Sequence, residues 1–403
     1  MEKIIVVGGG QAGFSTVAKL RNLGYNGNLT LICEENEFPY QRPPLSKKYL
    51  TGEFEKERLY FRPQSFYSEN QITVLLNTKC QEIDQKASWI KTSHDRLSYD
   101  HLVLATGSVP KKLPPSMGGD LLGVHTIRNL KDIHTIQSEL VPGSKTLIVG
   151  GGYIGLETAS ALIAKGLQVT LVEAAQRILQ RVAAPETANF FRRLHKKNNV
   201  KLIEGVGLEA LDGDQRVQSV TLSDGSRIDV DLVIVGIGIS PSVELAAQAG
   251  LDIENGIKVD TKGQTSCPNI WASGDCASFP HKNTRIRLES VQNAIDQSEV
   301  IAKNIHGNAV NYDPVPWFWS DQYDAKLQIA GLNQGYDQII TRNNLATDGV
   351  CFWYMQGGRL LAVDAVNDPR SFMVGKRLLE KGIQVNPEAL SNPDSNLKEL
   401  LRQ

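Results

Sequence analysis

The chain has 403 residues, long enough for two or three domains rather than a single core. Its 41% apolar, 22% charged and 7% aromatic residues belong to an ordinary globular protein and exclude a mainly disordered chain. A net charge of −1 supplies no long-range attraction for nucleic acid or acidic lipid, so a charged partner must be met by a local patch. The longest apolar runs, such as LVIVGIGI near 232–239, are strand-length and far short of a membrane span. With a strand beginning at Ile4, no signal peptide is expected. Five cysteines, Cys33, Cys80, Cys267, Cys276 and Cys351, are scattered and never spaced C-x-x-C. That pattern suits a reducing cytosol and supplies no disulfide framework and no zinc or iron–sulfur ligand set, so each is expected to pack as a small residue.

The first predicted element is a β-branched strand, IIVV. It runs into GGGQAG, which sets Gly8, Gly10 and Gly13 in G-x-G-x-x-G spacing, and then into a helix reaching Gly24. A second strand, LTLICEE, ends in Glu34 and Glu35. FPYQRPPLSKKYL (38–50) follows, a cysteine-free segment that two prolines stiffen and that carries Arg42 and Lys47. YDHLVLATGSVP (99–110) reads as a strand ending in a turn at Ala105, Thr106 and Gly107. KTLIVGGGYIGLETASALIAKG (145–166) then repeats residues 3–24: Gly150, Gly152, Gly155 and Gly166 lie 142 residues after Gly8, Gly10, Gly13 and Gly24. Its second strand, VTLVEA, ends in Glu173. NIWASGDCA (269–277) reads as a strand, a turn at Gly274-Asp275 and then helix, with Asp275 either an N-cap or a ligand. PWFW places Trp317 and Trp319 two apart, on one side of a strand.

Strand, glycine turn, helix and terminal acid form a dinucleotide-binding unit for stated reasons. The first glycine permits the tight turn, the second lets backbone approach a pyrophosphate, and the third lets helix pack on strand. The pyrophosphate sits at the helix N-terminus, where unpaired N–H groups and the dipole favour an anion. The acid about 20 residues on accepts hydrogen bonds from a ribose diol and repels a 2′-phosphate. One such turn is weak evidence. Two in register imply a chain that binds two dinucleotides. Glu173 favours NADH, and Arg177, four residues later, is the one feature suited to a 2′-phosphate. The ATG turn and Asp275, taken with the early glycine turn, assign the first copy to a flavin, Asp275 holding a ribityl hydroxyl.

From end to end the chain resembles the FAD-dependent NADH:ferredoxin reductases that serve Rieske-type dioxygenases and bacterial haem-thiolate monooxygenases. This is the branch of putidaredoxin reductase and biphenyl dioxygenase reductase. The resemblance is carried by GGGQAG (8–13), PYQRPPLSK (39–47), ATGSVP (105–110), GGGYIGLE (150–157), GIGISP (236–241), SGDCA (273–277), RLESVQNAIDQ (287–297) and PWFWSDQYDAKLQIAGL (316–332). It implies an α/β fold of two Rossmann-like dinucleotide-binding domains, for FAD and NAD, plus a C-terminal α/β domain. The FAD domain would comprise 1–112 and 243–311, the NAD domain 113–242 and the C-terminal domain 312–403. The implied reaction moves a hydride from NADH to the flavin, then single electrons to a separate [2Fe–2S] ferredoxin. No metal site, nucleic acid or membrane is implied, the expected setting is the cytoplasm, and monomer and weak dimer are equally compatible.

The resemblance also places Lys47 and Glu157 near the isoalloxazine, where they could pair. The repeat points to Glu157 independently, because its counterpart in the first copy is Ser15. The plainer readings are a solvated lysine and a glutamate favoured by the helix dipole. By resemblance Arg42 meets the FAD pyrophosphate, Arg128 lies by the flavin, Val291 offers its backbone N–H to the flavin pyrimidine, and Trp319 borders the ring. Lys326, Arg370 and Lys376 are candidates for meeting an acidic ferredoxin, against the alternative of plain surface charge. A disulfide reductase would need a thiol in the segment that carries Lys47. An apoptosis-inducing-factor-like flavoprotein would need long insertions and a basic surface. A rubredoxin-type reductase is the nearer alternative.

Overall fold

In the computed structural model, which describes residues 2–344 and 348–402, the chain folds into two compact units. One holds the residues up to Arg42, Glu55–Val109 and Ile239–Pro314; the other holds Pro43–Phe54, Pro110–Gly238 and the chain from Val315 on. The proline-stiffened stretch after Arg42 therefore belongs to the second unit, although it follows the first glycine turn in sequence.

The first unit is built on a five-stranded parallel sheet, in the order Ile270–Ala272, His101–Leu104, Lys3–Val7, Asn28–Ile32 and Ile72–Leu75. Its central strands are buried on both faces, so Lys3–Val7 and His101–Leu104 read as near-continuous apolar runs rather than alternating ones. Ile4 and Val6 join Val17, Leu20 and Ile301 in one core, while Ile5 and Val7 join Leu102, Leu104, Ile257 and Phe279 in the other. The helix expected directly after Asp275 does not form. A 3₁₀ turn, Gly274–Cys276, leads into the strand Ala277–His281, which pairs antiparallel with Thr284–Ile286. Pro280 lacks the N–H that a helix interior needs, and Ala277 and Phe279 bury themselves in the core instead. The helix begins later, at Val291–Ile305, where the Ser290 hydroxyl accepts the Asn293 N–H at 3.2 Å.

The second unit holds a similar parallel sheet, Lys201–Glu204, Gln168–Glu173, Lys145–Val149, Leu232–Val235 and Val124–His125. Four strands match the first sheet, but the outer strand Val124–His125 precedes its glycine turn in the chain, whereas Ile270–Ala272 comes last. The two copies differ in register. Lys3 pairs with Asn28 where Lys145 pairs with Gln168, so the first copy's helix-to-strand connection is two residues longer. The same unit carries a five-stranded antiparallel sheet, in the order Trp317–Gln322, Ala325–Gly331, Arg359–Val366, Gly349–Gln356 and Gln338–Asn344. The helix Pro369–Lys381 lays Phe372, Val374 and Leu378 onto Trp353 and Val363 of that sheet. It starts at Asp368, whose carboxylate accepts the Ser371 N–H, and stops at Gly382 with φ 63°. No described helix is long and apolar enough to cross a membrane.

Candidate functional site

In the first glycine turn, Gly8 takes φ +121°, and a Cβ there would lie 2.1 Å from the Ala105 carbonyl oxygen. A Cβ on Gly13 would lie 1.9 Å from the Gly8 carbonyl oxygen. The fold itself therefore needs both. Gly10 differs: a Cβ there meets nothing within 4 Å among the described residues, so packing does not account for the missing side chain. It caps the helix Gln11–Asn22, whose first turn holds no acid. Open space over unpaired N–H groups is what a pyrophosphate requires. Gly150, Gly152 and Gly155 repeat the arrangement, with φ +109° at Gly150, a Cβ 2.1 Å from the Gly150 carbonyl at Gly155, and open space at Gly152.

The acids beside the two turns are not equivalent. Because of the longer connection, Cys33 stands where Glu173 stands: a Cβ on Gly9 would meet Cys33 Sγ at 2.5 Å, and one on Gly151 would meet Glu173 Oε2 at 3.2 Å. Glu173 accepts the Gly151 and Ala175 N–H groups, both at 2.7 Å, which fixes it against its turn. Arg177 donates to the carbonyls of Ile178, Gln180 and Ala183, turned onto its own loop. In the first copy Glu34 remains 68% exposed, 3.1 Å from Lys79. Glu35, which the sequence grouped with it, turns inward to Arg42 at 2.6 Å and accepts the Tyr40 hydroxyl at 2.6 Å. Burial, reinforced by Glu35, pushes the Cys33 thiol up to about 12, so it stays protonated and unreactive.

Asp275 lies inside the 3₁₀ turn Gly274–Cys276, whose N-cap position is Ser273. Its Oδ2 accepts the Ser108 hydroxyl at 2.8 Å, and Arg287 donates to its carbonyl at 3.1 Å. Burial disfavours the charge on Arg42, but Tyr40, Glu35 and, less strongly, Asp275 outweigh it and lift its pKa. Arg42 and Asp275 are thus within electrostatic reach of one another, beside the turn that contains Ala105, Thr106 and Gly107. The Thr106 hydroxyl donates to the Ser242 carbonyl at 2.8 Å. Val291 is the first residue of its helix, where N–H groups have no intrahelical acceptor. Room for an anion at the glycine turn, a neighbouring cation and the Asp275 carboxylate held by Ser108 fit a flavin dinucleotide.

In the second unit, Lys47 and Glu157 do pair, 2.7 Å apart, with side chains 17% and 5% exposed. Glu157 lies a full turn inside the helix Tyr153–Ala164 and is buried, so the dipole reading does not describe it. The Ser46 hydroxyl donates to Glu157 Oε2 at 2.9 Å, and Ser320 donates to Oε1 at 2.7 Å. Neither serine was singled out by sequence reasoning. Their link to Glu157 spans 111 and 163 residues, which no local signal reports. Trp317 and Trp319 share a strand face with ring centroids 5.8 Å apart. Trp317 also meets Phe372 and Lys376. Arg128 is half-buried, and its backbone N–H donates to Asp132 at the start of the helix Leu130–Glu139. Of the three surface cations, Lys326 is exposed, Arg370 donates to Asn396 at 2.9 Å, and Lys376 pairs with Glu380 at 3.7 Å. Among the described residues no group of three or more His, Cys, Asp or Glu is placed to hold a metal.

Two parallel sheets that share a four-stranded arrangement, each with a glycine turn that has room for an anion, define a two-dinucleotide α/β protein with a C-terminal α/β domain. Residues 2–298 match the pyridine nucleotide-disulphide oxidoreductases and residues 317–401 the reductase C-terminal domain, so the chain belongs to that family. It is 39% identical to rhodocoxin reductase of Rhodococcus erythropolis, over 98% of this chain and 93% of that protein. It is also 39% identical to putidaredoxin reductase of Pseudomonas putida, over 99% and 97%. The crystal structure of a covalent putidaredoxin reductase–putidaredoxin complex superposes with a TM-score of 0.95 at 38% identity, covering 100% of this chain and 98% of that one.

Proposed function

We propose that this protein is an NADH-dependent flavoprotein reductase that passes electrons through FAD to a separate [2Fe–2S] ferredoxin feeding an oxygenase. The observation that carries the reading is the buried Lys47–Glu157 pair, on a segment without cysteine, in a chain whose five thiols are all free. A disulfide-reducing relative would need a reactive thiol there, and the Cys33 and Cys80 thiols are instead held protonated by burial. The full-length likeness to reductases named for rhodocoxin and putidaredoxin supports an external acceptor. Scattered free thiols suit a cytoplasmic setting.

FAD, when bound, accepts an electron pair from NADH and passes electrons on singly, which suits a one-electron acceptor. The chain's own groups bind and tune. The Gly8–Gly13 turn takes the FAD pyrophosphate with Arg42 beside it, Glu34 takes the ribose and Asp275 a ribityl hydroxyl. The Gly150–Gly155 turn and Glu173 take NADH. With FAD bound, Lys47 would supply a cation towards the flavin, Arg128 would contribute a second, the Val291 N–H would stabilise negative charge on the pyrimidine, and Trp319 would border the ring. The division into an FAD domain (1–112 and 243–311), an NAD domain (113–242) and a C-terminal domain (312–403) belongs to the same reading. The test is cytochrome c reduction by the FAD-loaded protein with NADH or NADPH and a panel of [2Fe–2S] ferredoxins. A strong ferredoxin requirement with NADH preferred is expected; slow NADH oxidation that no ferredoxin stimulates would refute it.

A further inference from the structure

Glu157 is the end of a longer structure. Its two oxygens accept from Lys47, Ser46 and Ser320, and Ser320 is itself met by Gln322 Nε2 at 3.2 Å. Gln322 Oε1 lies 2.8 Å from His195 Nε2, and the Tyr323 hydroxyl lies 3.3 Å from His195 Nδ1. Ser320, Gln322 and His195 are fully buried, while Tyr323 reaches the surface in part. The donors alternate along the strand Trp317–Gln322: Ser320 and Gln322 point into this chain, while Trp317 and Trp319 use the other face.

The direction of every bond follows from the end group. A carboxylate paired with lysine only accepts, so the Ser320 hydroxyl donates to it and its oxygen is left to accept from the Gln322 amide. That turns Gln322 Oε1 towards His195, so His195 carries its proton on Nε2. Burial holds the imidazole pKa down at about 4, so the ring is neutral and has one N–H only. Nδ1 is then an acceptor, and the Tyr323 hydroxyl donates to it. Tyr323 lies in the two-residue turn between the strands Trp317–Gln322 and Ala325–Gly331, whose geometry gives it φ 53°, and its N–H donates to Ser160 Oγ at 2.8 Å on the helix that carries Glu157.

We propose that Ser320, Gln322, His195 and Tyr323 are positioning residues, a one-way hydrogen-bond chain that fixes the Glu157 carboxylate as Lys47's acceptor. Its consequence for flavin reduction rests on the function proposed above; its geometry does not. Several groups face the carboxylate. Lys47 comes from the Pro43–Ser46 turn and its continuation, Tyr153 from the same helix, and His195 acts through the chain; Asp364, from the C-terminal sheet, acts on Tyr153.

Two measurements on the full-length, FAD-loaded protein test this. In ¹⁵N-histidine NMR, the resonance lost in His195→Gln should show a neutral ring protonated on Nε2 that does not titrate between about pH 5 and 8. In stopped-flow flavin reduction by NADH, Ser320→Ala should move the acid limb of the pH profile up by about one unit, and Ser320→Thr, which keeps the hydroxyl, should restore it. A ring protonated on Nδ1, one that titrates near its ordinary value, or a Ser320→Ala profile equal to the parent's would overturn the proposal. If instead no ferredoxin accepts electrons from the parent, the functional reading fails while the tautomer and the flavin-reduction profile still decide the chain.

Discussion

Asp364→Asn isolates one buried carboxyl. Asp364 lies on the strand Arg359–Val366, 1% exposed, where its Oδ2 accepts the hydroxyls of Thr187, at 2.7 Å, and of Tyr354. Among the described residues its Oδ1 has no hydrogen-bond partner. Burial raises the carboxyl pKa from 3.8 to about 6, against the two hydroxyl donors that pull it down. The folded pKa is the higher one, so the stability this group contributes is complete below pH 3.8 and is lost as pH rises through about 6. A gap of about two units at 1.36 kcal/mol each amounts to about 3 kcal/mol. Asparagine carries no such titration, and its amide has an unpaired N–H to bury at a cost that does not change with pH. The stability difference between parent and Asp364→Asn should therefore shift by about 2 kcal/mol in favour of Asn between about pH 4 and 7.5, because part of the change already lies below pH 4. Urea unfolding across that range, with hydrogen exchange at the Gly349–Gln356 and Arg359–Val366 strands, measures it. An equal difference at both ends of the range would show that the carboxyl is not shifted.

Gly10→Ala and Gly152→Ala should fold normally, because a Cβ at either position meets nothing within 4 Å among the described residues. Gly10→Ala should lose FAD on purification, and Gly152→Ala should keep FAD but raise KM for NADH by about tenfold; unchanged cofactor affinity in both would remove the turns from the binding sites. Lys47→Met strands a buried carboxylate and should cost about 3–5 kcal/mol in urea unfolding, with part recovered in Lys47→Met/Glu157→Gln. Flavin reduction by NADH should slow by about tenfold or more in Lys47→Met, and an unchanged stopped-flow trace would take Lys47 out of the site. Arg342 is 7% exposed and donates to the carbonyls of Asn392, of Pro393 at 2.8 Å and of Ser395 at 2.9 Å. Arg342→Met should speed hydrogen exchange after residue 385 and leave flavin reduction at the parent rate; undiminished protection would refute the clamp.

What the sequence determined alone was local. The two glycine turns, their strands and helices and the Trp317/Trp319 face are legible because they depend on φ, on helix starts and on a two-residue period. The tertiary structure decided whatever depends on register and on distant chain meeting chain. A connection two residues longer put Cys33 rather than an acid under the first turn and sent Glu34 and Glu35 to different partners. Pro280 and a buried hairpin replaced the helix after Asp275, which lies in a 3₁₀ turn and accepts from Ser108 across the unit. Lys47 and Glu157 were readable as a possible pair only through the family resemblance, not from any spacing between them. Their burial, their serine donors and the chain back to Tyr323 exist because the Pro43–Ser46 turn, two helices and one strand converge. A buried charge is tolerated only where such donors surround it, and no spacing in a linear chain reports that.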